Sequence, residues 1–210
     1  MALLSHLDLM RLLERALRRS GLPISFTGGF HPLPRVQIAL ALPLGAEADS
    51  EWMDMEFTKA LDPLQLQQGL QPLLPPGITL LSVAEVPVSG PSLSQEIRAA
   101  VWSFDVELKS GRTMEWSSAI ANLLAAEELM WHDTDKKGRP RSRDCRSVLR
   151  RLDVVSDPGD PRLRLRLEAD VDSMGRSLRP SQIQHWLEEQ VSAPIALQSL
   201  KRDRLELARC

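Results

Sequence analysis

Arg11, Arg15, Arg18, Phe30, His31 and Arg35 fall within one short stretch of the chain, and together they offer three chemistries. Arginine holds phosphate or carboxylate, a phenyl ring stacks on a base, and an imidazole with an ordinary pKa near 6.5 can pass a proton. Each also has a plainer use. Phe30 serves equally as a plug for the core, and that is its expected place. His31 is a candidate acid or base, but it serves as well to tie a loop to its strand ends. The elements that must position these groups can be read from the same stretch. Ser5 followed by Asp8 is a capping box with Asp in place of Glu or Gln, so a helix is expected from Ser5 to about Gly21. Leu7, Met10, Leu13, Ala16 and Leu17 are its expected buried face. At about 100° per residue, Arg11, Arg15 and Arg18 share a sector about 60° wide on the other side, with Arg19 beside them. Gly28-Gly29 then permits positive φ, and Pro32 and Pro34 hold the next residues extended, presenting Phe30, His31 and Arg35 at a loop.

The wording SHLDLMRLLERALRRSGLP, GGFHPLPR and ALPLG resembles the opening of the radical-SAM-linked domain family, a domain of unknown function. Further matches are Asp144-Cys145-Arg146 with Leu149-Arg150, Ser177-Leu178-Arg179-Pro180, and Lys201-Arg202. Members of that family are fused to, or encoded beside, B12-binding radical SAM proteins, so the resemblance implies a radical SAM partner without supplying a reaction. The family usually carries a further strand ahead of the Ser-His-Leu-Asp sequence. The expectation is that this strand is either truncated here or supplied by another segment.

With 210 residues, 43% hydrophobic and 26% charged, the chain has the composition of an ordinary globular protein of one domain or two small ones. The apolar run at its start is broken by His6, Asp8 and Arg11, which makes it a poor signal peptide and too short a membrane span. Cys145 and Cys210 are expected as free thiols of a cytoplasmic chain, with no membrane association.

Net charge is −2, unevenly spread. Residues 1–45 carry five arginines against two acids, residues 46–134 four bases against fourteen acids, and residues 135–210 seventeen against twelve. The densest run is Lys136, Lys137, Arg139, Arg141, Arg143, Arg146, Arg150 and Arg151, read either as a solvated loop leading into a charged strand or as a contact for phosphate.

The order of elements is expected to repeat. After the first helix come strands at 24–27, 36–42 and 51–57, a helix at 63–74 and a strand at 78–86. Residues 87–94, containing Ser89-Gly90-Pro91-Ser92, form the expected linker. The second half reads strand 101–108, helix 115–126, strand 129–132, a basic loop, strands 147–155 and 163–169, helix 180–191 and strand 195–200. The expected fold is therefore α+β, two tandem ferredoxin-like βαββαβ units over residues 1–87 and 95–210, the first without its opening strand.

Several chemistries have no support. The chain has no closely spaced cysteine set for an iron–sulfur cluster, no phosphate-cradling or dinucleotide glycine loop, and four histidines at no zinc spacing. No cofactor and no metal are expected. Gly159 and Gly175 sit in turn-like segments without the ligand alternation of a calcium loop. Asp54 and Glu56 are a possible carboxylate pair, or partners for Arg15, Arg18 or Arg35. With no tyrosine and five scattered tryptophans, aromatic platforms are few.

The reading that follows is an accessory binding module that holds an anionic substrate, RNA foremost, for a radical SAM partner. Its expected contacts are Arg11, Arg15, Arg18, Phe30, His31, Arg35, Arg146, Arg150 and Arg179. The alternatives are a metal-independent enzyme that cleaves or modifies RNA with His31, and a protein-docking scaffold.

Overall fold

The computed structural model describes residues 5–110, 116–135, 137–155, 162–172 and 175–208. Residue 115, at the start of the expected helix 115–126, and Lys136, Gly159 and Cys210 lie outside the described residues. The chain divides into two compact units, Met1–Glu96 and Ile97–Cys210.

In the first unit, α1 spans His6–Ser20. The Ser5 hydroxyl accepts from the Asp8 N–H and donates to the Asp8 carboxylate at 2.6 Å, and Gly21 ends the helix at φ 68°. Leu13, Ala16 and Leu17 are buried against Ile24, Leu70 and Leu74, with Leu9 and Leu12 packed alongside. Leu7 is not part of that face and stands 65% exposed. On the helical wheel it falls close to Arg11 and Arg18, about 150° from the centre of the apolar stripe, so its expected burial is corrected.

The strands of this unit are shorter than their sequence pattern. β1 (Val36–Ile38) and β3 (Met53–Met55) pair antiparallel, with Gln37 opposite Asp54, while a separate two-residue strand, β2, lies at Glu47–Ala48. Residues 24–27 make only the isolated bridges Ile24 to Phe57 and Phe26 to Pro34. The expected helix at 63–74 divides into α2 (Pro63–Leu70), capped by Asp62, and a 3₁₀ turn over Gln71–Leu73. The expected strand at 78–86 does not form. Gln67 donates to the Leu80 carbonyl, and Gln71 donates to the Ile78 carbonyl while accepting from the Leu80 N–H at 2.7 Å. Side-chain amides thus satisfy backbone groups that a neighbouring strand would otherwise pair. One helical turn, α3 (Leu93–Glu96), leads out of the unit.

In the second unit, β4 (Ile97–Leu108) is followed by α4 (Ser117–Ala125), a hairpin of β5 (Met130–Thr134) and β6 (Pro140–Asp144), then β7 (Leu149–Val154), β8 (Leu163–Asp170), α5 (Pro180–Val191) and β9 (Ile195–Leu207). Within the unit the large sheet runs β9-β4-β8-β7, antiparallel throughout. Leu163, Leu165, Leu167 and Ala169 of β8 are buried, and across from them Phe104 and Trp102 of β4 fill the apolar face. The alternate residues carry charge, with Arg164 on Asp105 at 2.9 Å, Arg162 on Glu107 at 3.5 Å and Arg166 on Glu168 at 3.7 Å. The expected basic loop is a correction: residues 140–144 form the second strand of the hairpin, with Arg141 opposite Asp133 and Arg143 opposite Trp131. Together the units make a mixed α+β protein, and among the described residues no helix is long and apolar enough to cross a membrane.

Candidate anion and nucleic-acid interface

The loop after α1 is braced from several sides. The Thr27 N–H donates to the Leu33 carbonyl at 2.8 Å, the Leu33 N–H donates to Thr27 Oγ1 at 3.0 Å, and the Arg35 N–H donates to the Ser25 carbonyl at 2.8 Å. These bonds close a narrow loop with Gly28–Pro32 at its tip, where Gly29 takes φ 107°. Arg18 joins the loop to the helix. Its guanidinium donates to the Pro32 carbonyl at 2.9 Å, pairs with Glu14 at 3.0 Å and lies 4.9 Å over the Phe26 ring. Arg35 donates to the Phe26 carbonyl at 3.4 Å and faces Glu56 at 3.6 Å, so Glu56 acts as an arginine partner.

Against this bracing Phe30 is 101% exposed, which corrects its expected core placement. The anchors at Thr27, Leu33 and Pro32 hold the tip away from the core, so the ring has nothing to plug. His31 is exposed beside it and has no hydrogen-bond partner among the described residues. Arg11 lies 3.7 Å from Asp8 with most of its side chain in solvent. Arg15 and Arg19 are exposed and have no ion-pair partner among the described residues. The Ser5 hydroxyl, and secondarily Arg11, hold the Asp8 carboxyl below its ordinary range. Helix and loop therefore present arginines and one bare aromatic ring, with Leu33 also 53% exposed next to them.

The expected contacts of the second unit do not form a free cationic run. Arg150 is clamped between Asp170 and Glu206, Arg141 pairs with Asp133 at 3.1 Å, Arg139 with Asp135 at 2.7 Å, and Arg151 with Asp153 at 2.7 Å. Arg146 donates to the Ala126 and Leu124 carbonyls at 3.1 and 3.3 Å and so closes the C-terminal end of α4. The Arg179 backbone N–H donates to Gln182 Oε1 at 3.0 Å at the start of α5, while the Arg179 side chain is exposed. Most members of this basic run are met by carboxylates, or in the case of Arg146 by backbone carbonyls, of the same chain.

Two groupings escape sequence reading. The Trp131 ring meets His185 edge-on at 5.3 Å and Trp186 at 6.4 Å, and the Trp186 indole N–H donates to the Met130 carbonyl at 3.0 Å. Nearby, Cys145 is buried, with Gln182 Nε2 at 3.8 Å from its sulfur. Burial pushes that thiol up, against the pull of Arg143 and Gln182. The available signal was the Asp135-to-Arg139 turn, whose Asp135 carboxylate accepts from the Lys137 and Arg139 N–H groups and so sets up a hairpin.

The family described as an uncharacterized protein conserved in bacteria (DUF2344) matches residues 1–180. The chain belongs to that family. The match takes in both the α1 loop surface and the Cys145 region of this DUF2344 protein. Comparison with curated proteins finds no match. Among solved structures, the chain is similar to one in "Crystal Structure of a Cbf5-Nop10-Gar1 Complex", at 10% identity and a TM-score of 0.55, over 96% of this chain and 45% of that one. At that identity the likeness concerns the fold alone. The DUF2344 chain spans less than half the length of the chain it resembles.

Proposed function

We propose that this DUF2344 chain is an accessory module that binds an anionic substrate, RNA foremost, on the surface formed by α1 and the Gly28–Pro32 loop. The observation that carries the reading is the wholly exposed Phe30 on a loop braced to Arg18, which shares one face of α1 with Arg11 and Arg15. Burying a ring of that size is worth about 2–3 kcal/mol, so holding it out in water is a cost that a stacking partner would recover. Single-stranded RNA offers both the flat base for the ring and the phosphates for the arginines.

The second unit favours the same division of labour. Its charged sheet face is covered by ion pairs, and its β4 aromatics, Trp102 and Phe104, lie buried on the other face, so that sheet is not a stacking platform of the kind RNA-recognition sheets use. The finer fold reading is part of the proposal. The βαββαβ succession of the second unit, in the order β9-β4-β8-β7 with the β5–β6 hairpin inserted, supports a ferredoxin-like unit. The first unit, with α1, the β1–β3 pair and α2, is read as a shortened relative of it. The radical SAM partner rests on the resemblance of the SHLDLM and GGFHPLPR blocks and is tested by co-purification of the two proteins.

Binding is favoured over catalysis because His31 has no hydrogen-bond partner among the described residues to orient it, as a general acid or base would need. The deciding experiment is fluorescence anisotropy with a single-stranded RNA, comparing wild type with the Arg11, Arg15 and Arg18 triple Gln variant. Affinity should fall at least tenfold, while melting should fall only by what Arg18→Gln alone costs, because Arg18 also braces the loop. Unchanged affinity overturns the proposal.

A further inference from the structure

β7 ends the sheet order β9-β4-β8-β7, and among the described residues no strand pairs with its outer side. The phase of the β7–β8 ladder shows which backbone groups face outward. The Val155 N–H donates to the Arg164 carbonyl at 2.9 Å, so these two residues form a hydrogen-bonded pair. In an antiparallel ladder such pairs alternate with pairs that exchange no hydrogen bond. Val154 stands opposite Leu165 and Leu152 opposite Leu167, so the N–H and C=O groups of Leu152 and Val154 point away from β8. Outward backbone groups of this kind are a template for another strand.

Charge can protect such an edge, but only where like charges would meet. From Leu149 to Val155 the chain reads Leu-Arg-Arg-Leu-Asp-Val-Val. A two-fold antiparallel pairing centred on Leu152 sets Arg151 of each strand opposite Asp153 of the other. Leu152 then faces its own copy, and the two strands exchange the outward hydrogen bonds of that residue. A register centred on Asp153 satisfies the backbone as well but sets carboxylate against carboxylate. One centred on Val154 leaves Asp153 opposite Val155. Charge thus selects the first. Arg151 and Asp153 already pair within the strand at 2.7 Å, both partly in solvent. The two-fold pairing lays a second such pair alongside in the opposite sense, so four charges alternate in sign around the axis. The Arg150 side chain is held by Asp170 and Glu206 and is not drawn into this contact. Val154 and Val155, 47% and 49% exposed, extend the edge with an apolar patch. A ladder shift between Leu149 and Arg151 ends its straight part, which keeps the pairing short.

We propose that β7 is a self-association edge, at which two copies of this chain pair antiparallel about Leu152 and join their sheets. A contact this small makes a weak dimer, populated at high concentration. It does not draw on the α1 loop surface and does not depend on the RNA reading.

The test is sedimentation equilibrium of the full-length chain at low salt. The weight-average mass should rise from monomer toward dimer between about 10 µM and about 1 mM protein. Arg151→Asp and Asp153→Arg should each weaken self-association by about tenfold or more, because each sets like charges opposite one another. Mixed in equal amounts, the two variants should form a heterodimer within about threefold of the wild-type affinity, since every Asp then meets an Arg across the axis. Damage to either variant's own fold gives no such rescue. Hydrogen exchange on the wild type reads the same edge without substitution. The Leu152 and Val154 amides should gain protection as concentration rises, whereas the Val155 amide, already bonded to Arg164, should not change. A chain that stays monomeric over the whole range, a mixture no tighter than its components, or Leu152 and Val154 amides indifferent to concentration overturns the proposal. Phe30→Ala should leave the association unchanged. Its loss in that variant would assign the dimer to the α1 loop surface and overturn the proposal as well, whatever the outcome for RNA.

Discussion

Phe30 and Arg18 are neighbours with different obligations. Phe30 touches nothing that folding requires, since its ring is wholly in solvent. Phe30→Ala should therefore shift stability by no more than about 0.5 kcal/mol, while loss of one base stack should weaken RNA binding by about 1–3 kcal/mol, or some 5- to 150-fold. Thermal melting and anisotropy on the same preparation check the pair of values, and equal affinity for wild type and variant counts against stacking. Arg18 is both brace and cation, through Pro32, Glu14 and the Phe26 ring. Its removal should cost stability as well as affinity, which is why Arg15, free of such contacts, is the cleaner probe of charge. At His31 the expectation is a few-fold loss of affinity at most for His31→Gln, because glutamine still donates and accepts a hydrogen bond. A loss of roughly 10²-fold in turnover on RNA, with binding intact, would instead reveal an acid or base.

At the scale of elements, what could be read from sequence depended on whether the signal was local. α1 was legible because Ser5, Asp8 and Gly21 mark its ends, and α5 because Pro180 opens it. The strand at 78–86 was not, since a strand needs a partner and this segment instead meets Gln67 and Gln71. Of the site, the arginine ridge and loop were legible, but the exposure of Phe30 was not, because burial is set by bracing contacts across 14 residues from Arg18 to Pro32. The β5–β6 hairpin was hidden by its charge, as Arg141 and Arg143 do not look like strand residues until Asp133 and Trp131 stand opposite them. The hairpin end has its own stability signature. Arg146→Ala, which uncovers the last carbonyls of α4, should cost about 1–2 kcal/mol and lower Tm by several degrees in calorimetry. Backbone donors hold Asp144 below its ordinary 3.8, and Arg141 and the Arg139 backbone and side chain do the same for Asp133 and Asp135. Between the folded and unfolded pKa values the unfolded chain binds more protons, so stability is complete above about pH 4 and falls as pH drops through the lowered folded values. Asp144→Asn should flatten this acid limb in urea titrations at pH 2–5, and an unchanged limb argues against its contribution.

For the molecule as a whole, a net charge of −2 would discourage nucleic-acid binding if charge were uniform. It is not uniform, and pairing matters more than count. Eight cations within residues 136–151 would release many counterions from RNA if they were free, yet Arg139, Arg141, Arg150 and Arg151 are neutralised at home and Arg146 is spent on α4. The proposed surface for phosphates is the N-terminal ridge, in which Arg15 has no ion-pair partner among the described residues and Arg11 only Asp8 at 3.7 Å, while Arg18 is already paired with Glu14 at 3.0 Å and Arg35 faces Glu56 at 3.6 Å. Three or four phosphate contacts to a single strand should give a slope of log affinity against log salt of about −2 to −3. A C-terminal run bound in addition would carry the slope past about −5. Anisotropy from about 50 to 300 mM salt distinguishes these cases, and in the Arg11, Arg15 and Arg18 triple Gln variant the slope should fall toward zero if the ridge is the contact. A steep slope that survives the triple substitution would move the interface to the second unit, and with it the balance between ion pairs within the chain and ion pairs with RNA.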